Sequence, residues 1–230
     1  MKKKIIILTG AGISAESGLK TFRDADGLWE GYNIEDVATP EAWRRNPTLV
    51  QNFYNERRKS VMDAQPNAAH LALAELQDKF ETLIITQNID NLHEKAGSKA
   101  VIHLHGEIIY SRSSTNPALL YKIKGHTIEM GELCELGSQL RPHVVWFGEA
   151  VPMITKAMHE MAKADIVILV GSSLAVYPAA GLIELAQPNV PVYVVDPKIP
   201  SVKIPNPVIK IEEKASIAIP LLVQKLLAHE

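Results

Sequence analysis

The chain has 230 residues, 47% of them hydrophobic and 22% charged, with 24 Lys and Arg against 26 Asp and Glu for a net charge of -2. That length can bury a full core as one domain, or as one lobe with a small insert, and the balanced charge excludes a general pull toward nucleic acid or anionic membrane. One cysteine, Cys134, excludes an internal disulfide and fits a reducing cytoplasm.

The start Met1-Lys2-Lys3-Lys4 carries a basic flank, but the apolar run Ile5-Ile6-Ile7-Leu8 breaks at Thr9-Gly10, too short for a secretory core or a membrane span. It reads as a first strand, and a cytoplasmic chain is expected. Gly10-Ala11-Gly12-Ile13-Ser14-Ala15 then satisfies a dinucleotide fingerprint whose third position is Gly or Ala. Glycines there let backbone amides approach a pyrophosphate at a helix start, where the dipole also favours negative charge. The acid that ordinarily ends the second strand about 20 residues later is missing. In its place stands a polar loop, Lys20 to Trp29, with Phe22 beside Arg23; a surface loop is the plain reading, and a lid over a ligand the sharper one.

Residues 41 to 79 read as helical, punctuated by Pro47 and Pro66-Asn67. Tyr54 and Arg57, three apart, share a helix face; as a bare pattern they are a core edge and a solvated charge, although together they could bind a carboxylate. Asn67 caps a helix with an apolar stripe, on which His70 packs or caps. Leu83-Ile84-Ile85-Thr86 then delivers Gln87-Asn88-Ile89-Asp90. This short run lacks alternation, as do Ile5 to Leu8, Ile166 to Val170 (ending in Gly171-Ser172-Ser173) and Val192 to Val195 (ending in Asp196). Such runs suit strands buried on both faces of a parallel sheet, whose carboxyl ends hold ligands. His103 and His105 alternate onto one face if 101–104 is a strand; without a third ligand nearby, one catalytic base with a packed neighbour is favoured over a metal pair. Residues 106 to 142 form a polar, turn-rich insert, after which Arg141 to Glu149 returns to an apolar strand ending in a Gly turn. Helices from Val151 to Lys163, Pro178 to Ala186 and Ser216 to Leu227 complete an alternating α/β order, with a proline-rich loop from Ile199 to Pro207.

Five blocks, Gly10-Ala11-Gly12-Ile13-Ser14 with Phe22-Arg23, Gln87-Asn88-Ile89-Asp90, His105-Gly106, Val145-Trp146-Phe147-Gly148-Glu149 and Gly171-Ser172-Ser173-Leu174, resemble in order and spacing those of the sirtuins, NAD-dependent protein-lysine deacylases. The resemblance spans essentially the whole chain. It implies an α/β fold, a Rossmann-like parallel sheet with helices on both faces, in a single domain of residues 1–230 whose smaller lobe comes from inserts at about 30–70 and 106–142. It implies NAD held by Gly10, Ala11, Gly12, Arg23, Gly171, Ser172, Ser173, Asp196 and Ala215, with Phe22 shielding the ribose and Gln87, Asn88 and Asp90 on the nicotinamide side. His105 would be the general base, with Asn88 beside it in the catalytic set. Acyl-lysine peptides would pair between Phe147-Gly148 and the stretch through Val176. Nicotinamide, free lysine and O-acyl-ADP-ribose would be the products. Tyr54 and Arg57 match a Tyr-x-x-Arg pair that in one sirtuin class favours negatively charged acyl groups, so desuccinylation with deacetylation retained is expected.

The same resemblance carries a departure. Most sirtuins place two Cys-x-x-Cys pairs in the second insert, whereas this chain has Ser111-Arg112-Ser113-Ser114 and only Cys134. One thiolate makes no four-thiolate site. No zinc is expected; His126 and Glu132 are weak substitutes, and packing of Leu119, Leu120, Ile123 and Ile128 is expected to fold the insert instead. Asp196 stands where many sirtuins have Asn; its carboxylate still accepts from ribose hydroxyls, so NAD binding is expected to survive and NADP to be disfavoured by repulsion. Mono-ADP-ribosyl transfer and a non-catalytic NAD-binding module are the competing functions.

Overall fold

The computed structural model describes residues 2–21, 28–29 and 31–228. Its strands are β1 (Lys4–Thr9), β2 (Leu28–Trp29), β3 (Tyr32–Asn33), β4 (Glu81–Thr86), β5 (Val101–His103), β6 (Gly106–Ser113), β7 (Leu120–Lys122), β8 (Leu140–Val144), β9 (Ile166–Val170), β10 (Val192–Val195) and β11 (Val208–Ile211). The helices are α1 (Gly12–Ala15), α2 (Ile34–Val37), α3 (Pro40–Arg45), α4 (Pro47–Asp63), α5 (Ala68–Glu75), α6 (Leu92–Lys95), α7 (Ile154–Met161) and α8 (Ala215–Ala228).

The non-alternating runs form one parallel sheet of order β11-β10-β9-β1-β4-β5. Leu8 pairs with Ile85 on one side and with Leu169 on the other. Alternate residues of each run feed opposite cores: Ile5, Ile7, Ile84 and Ile168 pack under α5 and α8, while Ile6, Leu8, Ile85 and Leu169 pack with Ala157 and Met161 of α7. Both faces are covered, which is why the runs are apolar throughout. From β1 the chain steps outward to β4 and β5, and returns on the other flank of β1 with β9. The order therefore reverses between β1 and β9, and in open α/β sheets that reversal leaves a crevice at the strands' carboxyl ends.

A third core holds the smaller lobe, in which Val50, Phe53, Tyr54 and Val61 of α4 meet Ile108, Val144 and Trp146. Asn46 starts α4 by accepting from Leu49 N at 3.0 Å, with Pro47 in the first turn where its missing N–H costs nothing. Asn67 and His70 close a capping box on α5, and Asn67 Nδ2 also donates to Ile13 O at 2.8 Å, tying α5 to α1.

Four details differ from the sequence reading. The 106–142 insert carries β6, β7 and β8 as a separate antiparallel sheet, and the strand read near Val144 belongs to it. Of the apolar side chains expected to fold that insert, Ile128 is buried at 1% exposure but Leu120 is 47% exposed. Leu119 and Ile123 are half-buried, and hydrogen bonds from α4 add to the packing: buried Arg58 donates to Ile108 O at 2.7 Å and His126 O at 2.8 Å, while Gln51 and Asn55 donate to Ile128 O. Ala179–Leu185 is a 3-10 helix, whose three-residue period still buries Ala179 and Leu182 on one side. The proline-rich loop leads into β11, a sheet-edge strand that lacks the full burial of the others. Among the described residues no helix is long and apolar enough to cross a membrane.

Candidate active site

The crevice at the reversal point is built on close backbone contact. Gly10 N donates to Val170 O at 3.0 Å and Gly12 N to Gly171 O at 2.9 Å, so the first Gly turn lies directly on the turn after β9. A Cβ on Gly10 would fall 2.7 Å from Gly171 O, and one on Gly171, whose φ is +60°, would fall 2.3 Å from Ile13 N. These glycines are demanded by the packing of the two turns as well as by any ligand.

Around them opens a cleft of about 240 Å³. Gly10, Ala11, Gly12, Gly171, Ser172 and Ser173 form one wall, and Gln87, Asn88, Asp90 and His105 form the floor. Tyr54, Arg57 and Trp146 line the small-lobe side, while Phe147, Gly148 and Val176 stand at the expected peptide edges. Asp196 sits behind the glycine wall at the end of β10, its carboxylate accepting from Lys198 N at 2.8 Å. Ala215 starts α8 inside the core that holds Ile13. Phe22 and Arg23 lie outside the described residues.

The floor is a directed hydrogen-bond chain. Ser14 Oγ donates to Asp90 Oδ2 at 3.1 Å and accepts from Asn88 Nδ2 at 3.1 Å; Asn88 Nδ2 also donates to Gly10 O at 3.2 Å. A hydroxyl has one proton to give, so donation to the carboxylate leaves its lone pair for the amide. Burial pushes the Asp90 carboxyl up, opposed by the Leu92 amide, the Ser14 hydroxyl and the charges of His103 and Arg57. Gln87 Nε2 donates to Ser172 Oγ at 3.0 Å, linking the floor to the wall. Sequence reasoning did not assign roles to Ser14 or Trp146, although both lie inside the blocks that carry the resemblance.

The two histidines on β5 and its extension separate by their partners. His105 Nδ1 donates to Gln87 O at 2.9 Å; a carbonyl only accepts, so the ring proton resides on Nδ1 and Nε2 keeps a lone pair. Burial lowers its pKa, partly offset by that carbonyl, so the ring is neutral near pH 7 and can accept a proton. His103 instead meets Asn88 O through Nδ1 at 3.1 Å and the Glu94 carboxylate through Nε2 at 2.8 Å. Burial opposes its charged form, but Glu94, Glu107 and the Asn88 carbonyl outweigh it and raise the pKa. His105 thus presents a bare ring nitrogen that can accept a proton, whereas His103 bridges the Glu94 carboxylate and the loop that carries Asn88.

On the small-lobe side, Tyr54 is fully buried and its phenol is held protonated, first by burial, against the indole of Trp146 and the charge of Arg57. Arg57 Nη2 donates to Lys20 O at 3.3 Å, which holds the guanidinium at the cleft. The adjacent Arg58, by contrast, points away to Ile108 and His126, so neighbouring arginines on α4 divide between site and scaffold.

Where zinc-binding cysteines would be sought in the insert, Ser113 Oγ lies 2.7 Å from Ser138 Oγ, and Cys134 Sγ lies 3.0 Å from Ser138 Oγ. One thiol among neutral hydroxyls does not fit a structural zinc, which takes thiolates and imidazoles. Among the described residues no group of three His, Cys, Asp or Glu is placed to hold a metal ion.

Comparison with known proteins agrees with this geometry. The Sir2 family model matches residues 10–178. A Helicobacter pylori protein named NAD-dependent protein deacylase is 48% identical over 225 residues, covering 98% of each chain. One of the same name from Bacteroides thetaiotaomicron is 51% identical over 201 residues, covering 85% of this chain and 86% of its own. A crystal structure of a Sir2 homolog–NAD complex superimposes with a TM-score of 0.88 at 37% identity, covering 99% of this chain and 91% of that one. With the glycine wall, the Asn-Asp floor and the neutral histidine on one cleft, this chain belongs to the Sir2 family.

Proposed function

We propose that this chain is an NAD-dependent protein-lysine deacylase that removes succinyl groups in preference to acetyl groups while retaining deacetylation. The observation that carries the reading is the placement of Tyr54 and Arg57 on the same cleft as His105 and Asn88. The NAD-dependent deacylase activity itself is supported by the names of relatives 48% and 51% identical.

NAD, when bound, supplies a ribose whose nicotinamide can leave as the acyl oxygen attacks. The glycine wall offers backbone amides and a helix start to the phosphates. Asn88 and Asp90, fixed through Ser14, present an amide and a carboxylate to the ribose and nicotinamide side. His105 takes a ribose hydroxyl proton at Nε2, the nitrogen left free by the Gln87 carbonyl, which makes that oxygen nucleophilic. Trp146 and Phe147 enclose the acyl-lysine channel against water, and the peptide backbone pairs with Phe147-Gly148 and the stretch ending at Val176. Asp196, Ala215, Phe22 and Arg23 keep their assignment to the NAD side as part of this reading, within one domain whose small lobe is formed by the two inserts. One water is consumed as the amine leaves the acyl carbon, and free lysine, nicotinamide and O-acyl-ADP-ribose are the products. Zinc has no part in it: metal analysis of the purified chain is expected to find less than stoichiometric zinc.

Arg57 pairs with the distal succinyl carboxylate and Tyr54 donates to it. A hydrogen bond to a charged group contributes about 1.5–3 kcal/mol, so Arg57→Met should lower kcat/KM for a succinyl peptide about 10- to 100-fold. The matched acetyl peptide should change less than about threefold, because no carboxylate reaches Arg57. Equal loss on both peptides would refute the acyl-pocket assignment; absence of NAD-dependent turnover of either would refute the activity.

A further inference from the structure

Four successive carbonyls, from the end of β4 into the loop that carries Asn88, are held from β5, β6 and the turn between them. Leu104 N donates to Thr86 O at 2.9 Å, His105 Nδ1 to Gln87 O at 2.9 Å, His103 Nδ1 to Asn88 O at 3.1 Å and Ile108 N to Ile89 O at 2.9 Å. Of the two imidazoles, His103 is the one that also meets an acid: its Nε2 lies 2.8 Å from Glu94 Oε1, with its side chain 8% exposed. A carbonyl and a carboxylate only accept, so both ring nitrogens of His103 carry protons and the ring is an imidazolium. Its pKa agrees: burial opposes the cation, but Glu94, Glu107 and the Asn88 carbonyl outweigh burial and raise the value.

This cation is placed to act on the floor of the cleft. Asp90 is buried, and its two oxygens accept from Ser14 Oγ and from Leu92 N, each at 3.1 Å. Burial pushes that carboxyl up, and the charge of His103 is among the groups that keep it ionised. The other titratable groups facing His103 leave it the sole cation among them. His93 on α6 and His143 on β8 are held neutral, first by burial and further by the charge of His103 itself. Glu107 on β6 is pushed up by burial, opposed by His103 and reinforced by Glu94.

We infer that His103 is a positioning residue for NAD: as an imidazolium clamped between Glu94 and the Asn88 carbonyl, it fixes Asn88 and keeps Asp90 a carboxylate for the nicotinamide half of the cofactor. The nicotinamide ring of NAD is itself a cation, which a carboxylate favours and a neutral carboxyl does not. The inference rests on the NAD-site reading above and gives that site a charge from a side chain that does not touch the cofactor.

The test is calorimetric titration of the full chain with NAD and, separately, with ADP, which reaches the glycine wall and lacks the nicotinamide half, from pH 7 to 9. Burial lowers the His105 pKa, so that ring is neutral throughout the range and adds no slope. A histidine with a raised pKa is charged below its folded value and loses the charge as pH rises through it, so wild-type NAD affinity should fall on the alkaline side. At saturating NAD this weakening is masked, so peptide turnover follows His105 while binding follows His103. His103→Gln keeps a donor for Asn88 O without the charge; at pH 7 it should bind NAD about 2- to 10-fold more weakly and show no alkaline fall. Glu94→Gln keeps an acceptor for Nε2 and removes the anion, so its fall should begin at lower pH. ADP affinity, compared with wild type at each pH, should change less than about twofold in either variant. Flat wild-type NAD affinity up to pH 9, or variants that match the wild type at every pH, overturn the inference. Equal weakening of ADP and NAD marks a loosened fold and overturns it too. If His103→Gln does not fold, the wild-type profile and Glu94→Gln decide by the same criteria. A wild type that fails to bind NAD overturns the cofactor reading together with this one.

Discussion

The turn after β9 offers a sharp test of how the site is built. Replacing Gly171 with Ala puts a methyl group 2.3 Å from Ile13 N, 2.6 Å from Gly12 C and 2.7 Å from Gly12 Cα. All three are backbone atoms, so no side chain can swing aside. The φ of +60° adds left-handed strain, about 1–2 kcal/mol for an L-residue, and forcing a packed contact apart costs about 1–3 kcal/mol more. The expected loss is therefore about 2–5 kcal/mol, or roughly 5–15 °C in Tm for a chain of this size. Because the atoms displaced belong to the wall at Gly12, KM for NAD should rise with the loss of stability. Two controls separate the causes. Gly125→Ala, at a φ of +87° with open space around it, should cost only the backbone strain and leave KM for NAD unchanged. Gly12→Ala, which meets Gly171 Cα at 2.7 Å without a left-handed φ, should raise KM for NAD with the smaller stability loss. Differential scanning calorimetry and NAD titration read both quantities. A Gly171→Ala protein with Tm within about 2 °C of wild type and unchanged KM for NAD would show that the two turns do not need their contact.

Further predictions concern the histidines. His105→Ala should reduce turnover about 100- to 10,000-fold while NAD still binds by calorimetry, as expected for loss of a general base. In the wild type, kcat/KM should fall only at pH below the ordinary imidazole range, because burial lowers the His105 pKa; a profile that declines already at pH 8 would contradict its neutral state. His70 and His93 are fully buried with ring centroids 4.9 Å apart, and burial holds His70 down to about 4 and His93 well below its ordinary value. A depressed histidine binds its proton more readily when unfolded, so stability is full above about pH 6.5 and falls as pH drops toward the folded value. His70 alone accounts for about 3 kcal/mol by pH 4, and urea midpoints of wild type against His70→Gln between pH 8 and 4.5 should show the variant losing less. Parallel curves would remove His70 as the source.

Much of this molecule is readable without its structure. Unbroken apolar runs at Ile5, Leu83, Ile166 and Val192 announce strands covered on both faces, because a residue with no solvent side needs no alternation, and all four lie in one parallel sheet. The Gly10, Gln87, His105 and Gly171 blocks name most of the cleft because its polar residues follow strand ends directly in sequence. What the sequence leaves open is anything set by contact between distant segments. No local period pairs Gly12 with Gly171, or puts Ser14 between Asn88 and Asp90. The fate of Tyr54 turns on Trp146, far along the chain, whose ring makes a pocket wall of what helix spacing alone presents as a core edge. The edge strand β11, the small antiparallel sheet and the hydrogen bonds of Arg58 escape for the same reason: their stability comes from partners supplied by the fold, not from a pattern of neighbours along the chain.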